Sequence, residues 1–202
     1  LNEEEPMEMK RFLESLASSR PTPGGGSASA LAGALSASLV AMVAGLSLKR
    51  DEGMKEMMKK ALKIQKRLYR AIEEDAKSYE AVLKAFRLPR ETDRQRLRRS
   101  KEIQKAYQKA TVTPQRVCEQ SLYLLEYSKY LIQEGNPNAR SDAGVAAFLA
   151  DASMAGGLLN IGVNLASIED KAFVKKMRTL MQKWTRKRNL LMDGILRSFR
   201  RI

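Results

Sequence analysis

The chain has 202 residues, of which 37 are Lys or Arg and 23 are Asp or Glu, with no histidine and a single cysteine, Cys118. That length suits one domain or two small ones, burying roughly 70% of the unfolded chain's surface. A Ser-His-Asp triad, a Cys-His pair, a His-ligated zinc, an internal disulfide and a Cys-cluster metal site are all excluded. Proton transfer therefore falls to Asp, Glu, Lys, Tyr or Cys118.

The prolines fall between segments of helical periodicity, so they serve as punctuation. A short first helix is predicted near residues 7–19, with Met9, Phe12, Leu13 and Leu16 on one side. The loop Arg20-Pro21-Thr22-Pro23-Gly24-Gly25-Gly26 follows, and a second helix runs from about Ser27 to Leu48. A long third helix starts near Asp51 and ends at Phe86, ahead of Leu88-Pro89. Thr92 and Gln95 make a capping-box pattern for a fourth helix reaching Ala110. Thr113-Pro114 reads as N-cap and first helical residue of a fifth, closed by Gly135. Ser141-Asp142 caps a sixth reaching Ala166, and Asp170 precedes a basic seventh. No period-two alternation and no internal repeat occur, so the fold class is all-α.

Two helices have unusual compositions. Gly33, Ala37, Ala41 and Gly45 form a small-residue stripe beside Leu31, Leu35, Leu39 and Val43, and residues 143–166 repeat the theme. Small stripes let helix axes approach closely, which predicts that these two helices form the centre of a bundle. The uncharged run from Pro21 to Leu48 is long enough to span a bilayer. Its Ser, Ala and Gly content makes it weakly hydrophobic, so a buried core helix is expected and a membrane span is not. The acidic Glu3-Glu4-Glu5 is the wrong kind of start for a secretory signal. A cytoplasmic location is expected, consistent with the lone cysteine.

Three groups of residues could carry chemistry. Gly24-Gly25-Gly26-Ser27 opens onto a helix, where free N–H groups and side-chain-free backbone suit close approach of a carboxylate, phosphate or carbonyl. A flexible connector with Ser27 as a plain N-cap reads equally well. Asp75 lies on a helical face with Ala61, Gln65, Leu68, Ile72, Tyr79, Val82 and Phe86. A carboxylate on so apolar a face is desolvated toward the range of a general acid or base; at the edge of the face it would instead pair with Lys or Arg. Asn136, Ser141 and Asp142 cluster around a turn, while Asn160 and Asn164 share one face of an apolar helix. Buried amides there need backbone or heterocyclic partners. Cys118, Trp184 and the methionines read as filling, and no metal site is expected.

These pieces, in this order, resemble the cyclodeaminase/cyclohydrolase family of folate enzymes. The carrying stretches are Pro21-Thr22-Pro23-Gly24-Gly25-Gly26-Ser27, Asp75-Ala76-Lys77-Ser78-Tyr79, Gly135-Asn136, Ser141-Asp142-Ala143 and Asn160-Ile161-Gly162-Val163-Asn164-Leu165. The resemblance implies one up-and-down helical bundle over residues 1–202, paired as a homodimer. It further implies a reduced-folate substrate, with or without a polyglutamate tail, and no separate cofactor. Asp75 matches the family's catalytic aspartate; Gly24, Gly25, Gly26, Ser27, Asn136, Ser141, Asp142, Asn160 and Asn164 would line the folate cleft. The activity implied first is formimidoyltetrahydrofolate cyclodeaminase, with methenyltetrahydrofolate cyclohydrolase as the alternative.

The charge keeps a different class in view. Residues 87–109 hold nine basic and three acidic residues, and 171–202 hold eleven and one. Such segments are solvated helix faces or attract polyanions. An adaptor for nucleic acid or an anionic surface would interleave aromatics for stacking, and only Phe173, Trp184, Phe199 and Tyr107 occur there. Nucleic acid is therefore not the favoured partner.

Overall fold

The structure, a computed structural model, describes residues 5–199. It consists of α1 (Glu5–Leu16), α2 (Gly25–Leu46), α3 (Gly53–Phe86), α4 (Asp93–Ala110), α5 (Val112–Glu134), a 3₁₀ turn (Pro137–Ala139), α6 (Arg140–Leu165) and α7 (Lys171–Phe199), and no strand lies among the described residues. The all-α expectation is met, and the first helix stops at Leu16, short of Ser19.

α2 and α6 form the centre. They run antiparallel: the Ser36 hydroxyl donates to the Ala146 carbonyl at 2.7 Å, while the Asn136 N–H donates to Ser47 Oγ at 2.8 Å. A Cβ built on Gly33 would lie 2.6 Å from Ser153 Oγ and 2.8 Å from Leu68 Cδ1, so glycine there admits α6 and α3 together. Ala30, Ala37, Ala44, Ala146 and Ala150 are fully buried. Both helices are long and apolar enough to cross a membrane, yet 56% and 44% of their apolar windows are buried by neighbouring helices. α5 backs the pair, packing Leu124, Leu125 and Leu131 into the core. Its Ser121 hydroxyl donates to Ser153 at 2.9 Å.

The capping signals held where side chain and backbone agreed. Thr92 and Gln95 make the reciprocal capping box that starts α4. Asp170 accepts the Ala172 and Phe173 N–H groups, each at 3.0 Å, and so caps α7. Gly135 closes α5 through its N–H to the Leu131 carbonyl, with extended rather than left-handed backbone.

Two starts differ from expectation. α5 begins at Val112, so Thr113 is helical and Pro114 lies inside the first turn, where its missing N–H has no acceptor to lose. α6 begins at Arg140, because Asn136 caps the 3₁₀ turn by accepting the Asn138 N–H at 3.0 Å. Ser141 and Asp142 are therefore first-turn residues and not caps.

α7 lies against α5 and α6 through Met177, Trp184 and Ile195. Arg188 clasps Asp151 of α6 with two bonds of 2.5 and 2.7 Å, and Lys187 pairs with Glu126 of α5. α4 buries only Ala110; the Phe86–Tyr107 edge contact at 6.2 Å and Arg99 over the Phe86 ring at 5.4 Å tie it to α3.

Candidate active site

The α2 N-terminus and the middle of α3 meet at Asp75. Gly24 is the N-cap, in extended backbone, and offers no side chain to the first turn. Asp75 takes that place: its carboxylate faces Ser27, which contributes both a backbone N–H and a hydroxyl bond. The Ser27 hydroxyl lies 2.9 Å from the Ile72 carbonyl and 3.2 Å from Asp75 Oδ2. One hydroxyl proton cannot serve both acceptors equally. With Asp75 ionised, Ser27 donates to it; with Asp75 protonated, the carboxyl proton can point at Ser27 while Ser27 donates to Ile72. The arrangement thus satisfies either protonation state.

Burial pushes the Asp75 carboxyl above its ordinary value, against the lowering effect of the Ser27 bonds. Asp75 makes no ion pair among the described residues, which removes the edge-of-face alternative. Its neighbour Glu74 has that role instead, bonded to Arg116 of α5 at 3.3 Å. Of the predicted α3 face, Ala61, Leu68 and Val82 are buried, Gln65, Ile72 and Asp75 half-buried, and Tyr79 and Phe86 exposed.

The glycines divide by role. A Cβ on Gly26 would sit 2.5 Å from Asp75 Cγ, so glycine is what lets the carboxylate reach the helix end. No described glycine has positive φ, so close approach, and not backbone freedom, explains the triplet. Gly25 is exposed, and its Cβ would meet only Asn160 Nδ2 at 4.0 Å. Ser27 is not an N-cap; it is helical and fully buried.

The remaining expected residues fall into two places. Asn160 stands beside Gly25 and donates to the Gly156 carbonyl of its own helix at 2.8 Å. Asn164 donates to the Ala110 carbonyl at 3.1 Å, tying α6 to the α4–α5 junction. Asn136, Ser141 and Asp142 do not join them. Asn136 binds the far end of α2, at Ser47 Oγ and the Leu46 carbonyl. The 22 residues of α2 separate the two ends by about 33 Å. Within one chain the expected folate cleft is therefore split.

Of two further participants, one gave no signal in the sequence and the other showed only as part of the small-residue theme of residues 143–166. The Ile72 carbonyl is a backbone atom, and Gly156 matters because a Cβ there would strike Ser29 beneath the glycine loop. Cys118 is no nucleophile: burial pushes its thiol up to about 12. Among the described residues, no three His, Cys, Asp or Glu side chains gather as metal ligands would.

Fold and site together define an all-α protein built around a desolvated carboxylate at a helix N-terminus. The formiminotransferase-cyclodeaminase family profile matches residues 8–183, and the chain belongs to that family. It is 34% identical to the methenyltetrahydrofolate cyclohydrolase of Methylorubrum extorquens over 83% of this chain and 84% of that one. It is 28% identical to the formimidoyltransferase-cyclodeaminase of Sus scrofa over 93% of this chain, which spans only 36% of that longer protein. The formiminotetrahydrofolate cyclodeaminase structure from Thermotoga maritima superposes with a TM-score of 0.85 over 95% of both chains, at 24% identity, and so shares the fold.

Proposed function

We propose that this chain is a cytoplasmic folate one-carbon enzyme, one helical unit acting at the carbon that bridges N5 and N10, with Asp75 as its general acid and base. The observation that carries this reading is the Asp75 carboxyl, desolvated, without an ion pair among the described residues and bonded to Ser27. Hydrolysis of 5,10-methenyl-tetrahydrofolate is the lead reaction, because the relative that is 34% identical over 84% of its own length bears that name. Water loses a proton to the carboxylate as its oxygen bonds the methenyl carbon; N5 then gains that proton as its bond to the carbon breaks, and the adduct's hydroxyl proton passes to solvent as the formyl C=O forms on N10. One carboxyl serves both transfers. Gly24–Gly26, Asn160 and Asn164 line the same end of the bundle, where the folate would lie.

Cyclodeamination, the first reading from sequence, remains the second reading, favoured by the pig, rat, mouse and chicken relatives. There N10 loses a proton on attacking the formimino carbon, and the departing nitrogen leaves as ammonia. Incubation with 5,10-methenyl- and with 5-formimino-tetrahydrofolate, following the methenyl chromophore and ammonia, decides between them. Inactivity on both would end the proposal.

Two expected results follow from the surroundings. Gly25→Val fills exposed space without striking the fold, so folate affinity should fall while the melting temperature holds. Unchanged affinity would make Gly25 part of a mere connector. A polyglutamylated folate should bind more tightly than the monoglutamate, and added salt should shrink the difference. The motive is the excess of Lys and Arg in residues 87–109 and 171–202, against the several carboxylates of such a tail. Equal affinities at low salt would refute this.

A further inference from the structure

Residues 57–72 of α3 hold six Lys or Arg and no acid, a basic run that neither the core nor the candidate site uses. At alternating steps of three and four, Lys60, Lys63, Arg67, Arg70, Glu74, Lys77, Ala81 and Lys84 share one face of this helix. Six of these eight are cations, and all six are exposed. Facing them is a second bank made by α5 and then α4, which meet at the single residue Thr111. The hollows between the banks share lining residues, each with the next: Arg67 and Gln120, then Glu74, then Ala81 and Lys109. They join into one trough. From Lys60 to Lys84 the helix rises about 36 Å.

The far bank adds Arg116, Lys105 and Lys109, while the trough's acids are Glu74 and Glu102. Glu74 is already held by Arg116. Lys63, Arg67, Arg70, Lys84, Lys105 and Lys109 make no ion pair or side-chain hydrogen bond among the described residues. Exposed cations at this density repel one another, and a bound polyanion relieves that repulsion. Packed helix axes stand about 8–10 Å apart, so the trough is one strand wide. It is too narrow for a duplex, and a flat lipid surface does not reach into it. At the Lys60 end, Tyr123 and Tyr127 of α5 line it four residues apart, with Tyr123 51% exposed. A purely anionic chain would use the cations and leave these rings idle; nucleobases stack on them.

We infer that this trough binds single-stranded nucleic acid, the phosphates following the α3 cations and bases stacking on Tyr123 and Tyr127. At a stacked spacing of about 3.4 Å per phosphate, it takes roughly ten nucleotides. Phosphate contacts carry no sequence information and a ring stacks on any base, so binding is indifferent to sequence. The sparse aromatics that disfavoured nucleic acid belong to residues 87–109 and 171–202; the trough draws most of its charge from α3 and its rings from α5. Asp75 turns the other way, toward Ser27 of α2.

A fluorescein-labelled twelve-nucleotide single strand, as RNA or DNA, should bind the full chain by fluorescence anisotropy. With six unpaired cations each meeting a phosphate, raising salt from 50 to 200 mM should weaken binding about 300-fold. Lys63→Gln/Arg67→Gln/Arg70→Gln should cost at least tenfold at the lower salt and halve the salt slope. Lys175→Gln/Lys176→Gln/Arg178→Gln removes equal charge from exposed positions on α7 and should leave binding near wild type. Tyr123→Ala should cost about tenfold, and Tyr123→Phe, which keeps the stacking face, should restore affinity. All these side chains are exposed, so melting temperatures should hold; if the first triple variant melts early, Lys63→Gln/Arg70→Gln replaces it. No binding at 50 mM salt would reject the proposal, as would equal losses in the two triple variants. An unaffected Tyr123→Ala would also overturn it, as would equally tight binding of the duplex, of inorganic polyphosphate or of decaglutamate. None of these measurements involves folate, so they stand or fall apart from the role given to Asp75.

Discussion

Asp75→Asn should lower turnover by roughly 10²–10⁴, the usual loss when a general acid–base group is removed, and leave folate affinity near wild type. The amide keeps the shape of the carboxyl and can still accept from Ser27, so no cavity opens. Stability gives a second, independent reading. Burial raises the Asp75 pKa above its ordinary 3.8, so the folded state holds this proton more tightly than the unfolded chain. The stabilisation is full below the unfolded value and is lost as pH rises through the folded value. Asparagine does not ionise and escapes that loss. The variant should therefore be as stable as wild type, or more so, at neutral pH, and show a flatter stability profile on the acid side. An aspartate held by an ion pair would behave oppositely, losing stability on substitution while turnover survived. Denaturant midpoints across acid and neutral pH, with turnover on the same preparations, separate the two. Near-normal turnover would end the mechanistic claim.

The helices were legible because composition and punctuation agreed. α2 and α6 announce themselves by small residues with no competing signal, and the structure buries Ala30, Ala37, Ala44, Ala146 and Ala150 between them. Thr92 and Asp170 cap as their side chains suggest. Thr113 and Ser141 misled because a cap is defined by backbone geometry as well as by residue type. The chain passes from α4 into α5 through the single residue Thr111, and from the 3₁₀ turn into α6 with none between. Neither junction leaves room for an extended capping residue. The sequence pattern shows the preferred oxygen; it does not show whether the preceding helix has ended.

The site was legible in half. Asp75 stood out as the one acid on an apolar face, and its contact with Ser27, 48 residues earlier, is what the glycine triplet permits. The other expected group was linked to it by order along the chain, and order carries no distance. α2 is rigid and 22 residues long, so whatever sits at Ser47 is held away from Gly24. Only a three-dimensional frame shows that Asn136, Ser141 and Asp142 occupy the wrong end of a single copy. The same frame shows Leu35, Met42 and Leu46 of α2 uncovered, where an all-apolar helix gives no periodic hint of which side stays open.

Gly26→Ala offers the sharpest separation between packing and chemistry. Gly26 is buried in the first turn of α2, where alanine would ordinarily gain about 0.5–1 kcal/mol of helix stability over glycine. Here the added methyl meets the Asp75 carboxylate. The carboxylate is the movable party, so it should swing away from the helix end and lose the Ser27 N–H and hydroxyl. A displacement on that scale costs roughly 10²-fold in rate when a reacting group is misplaced. Loss of the Ser27 bonds also removes what restrains the raised Asp75 pKa, so the acid limb of the pH–rate profile should move to higher pH. Gly25→Ala is the matched control: its methyl meets only Asn160 at 4.0 Å, and turnover should hold. Turnover, the pH–rate profile and the melting temperature of both variants provide the test. If Gly26→Ala kept wild-type turnover and merely lost stability, the carboxylate's position at the helix end would be a packing detail. If it lost turnover with an unchanged pH profile, Ser27 would not be tuning Asp75. The combination of slow turnover, a shifted acid limb and a nearly unchanged melting temperature belongs to a glycine retained to hold a proton-transfer group in place.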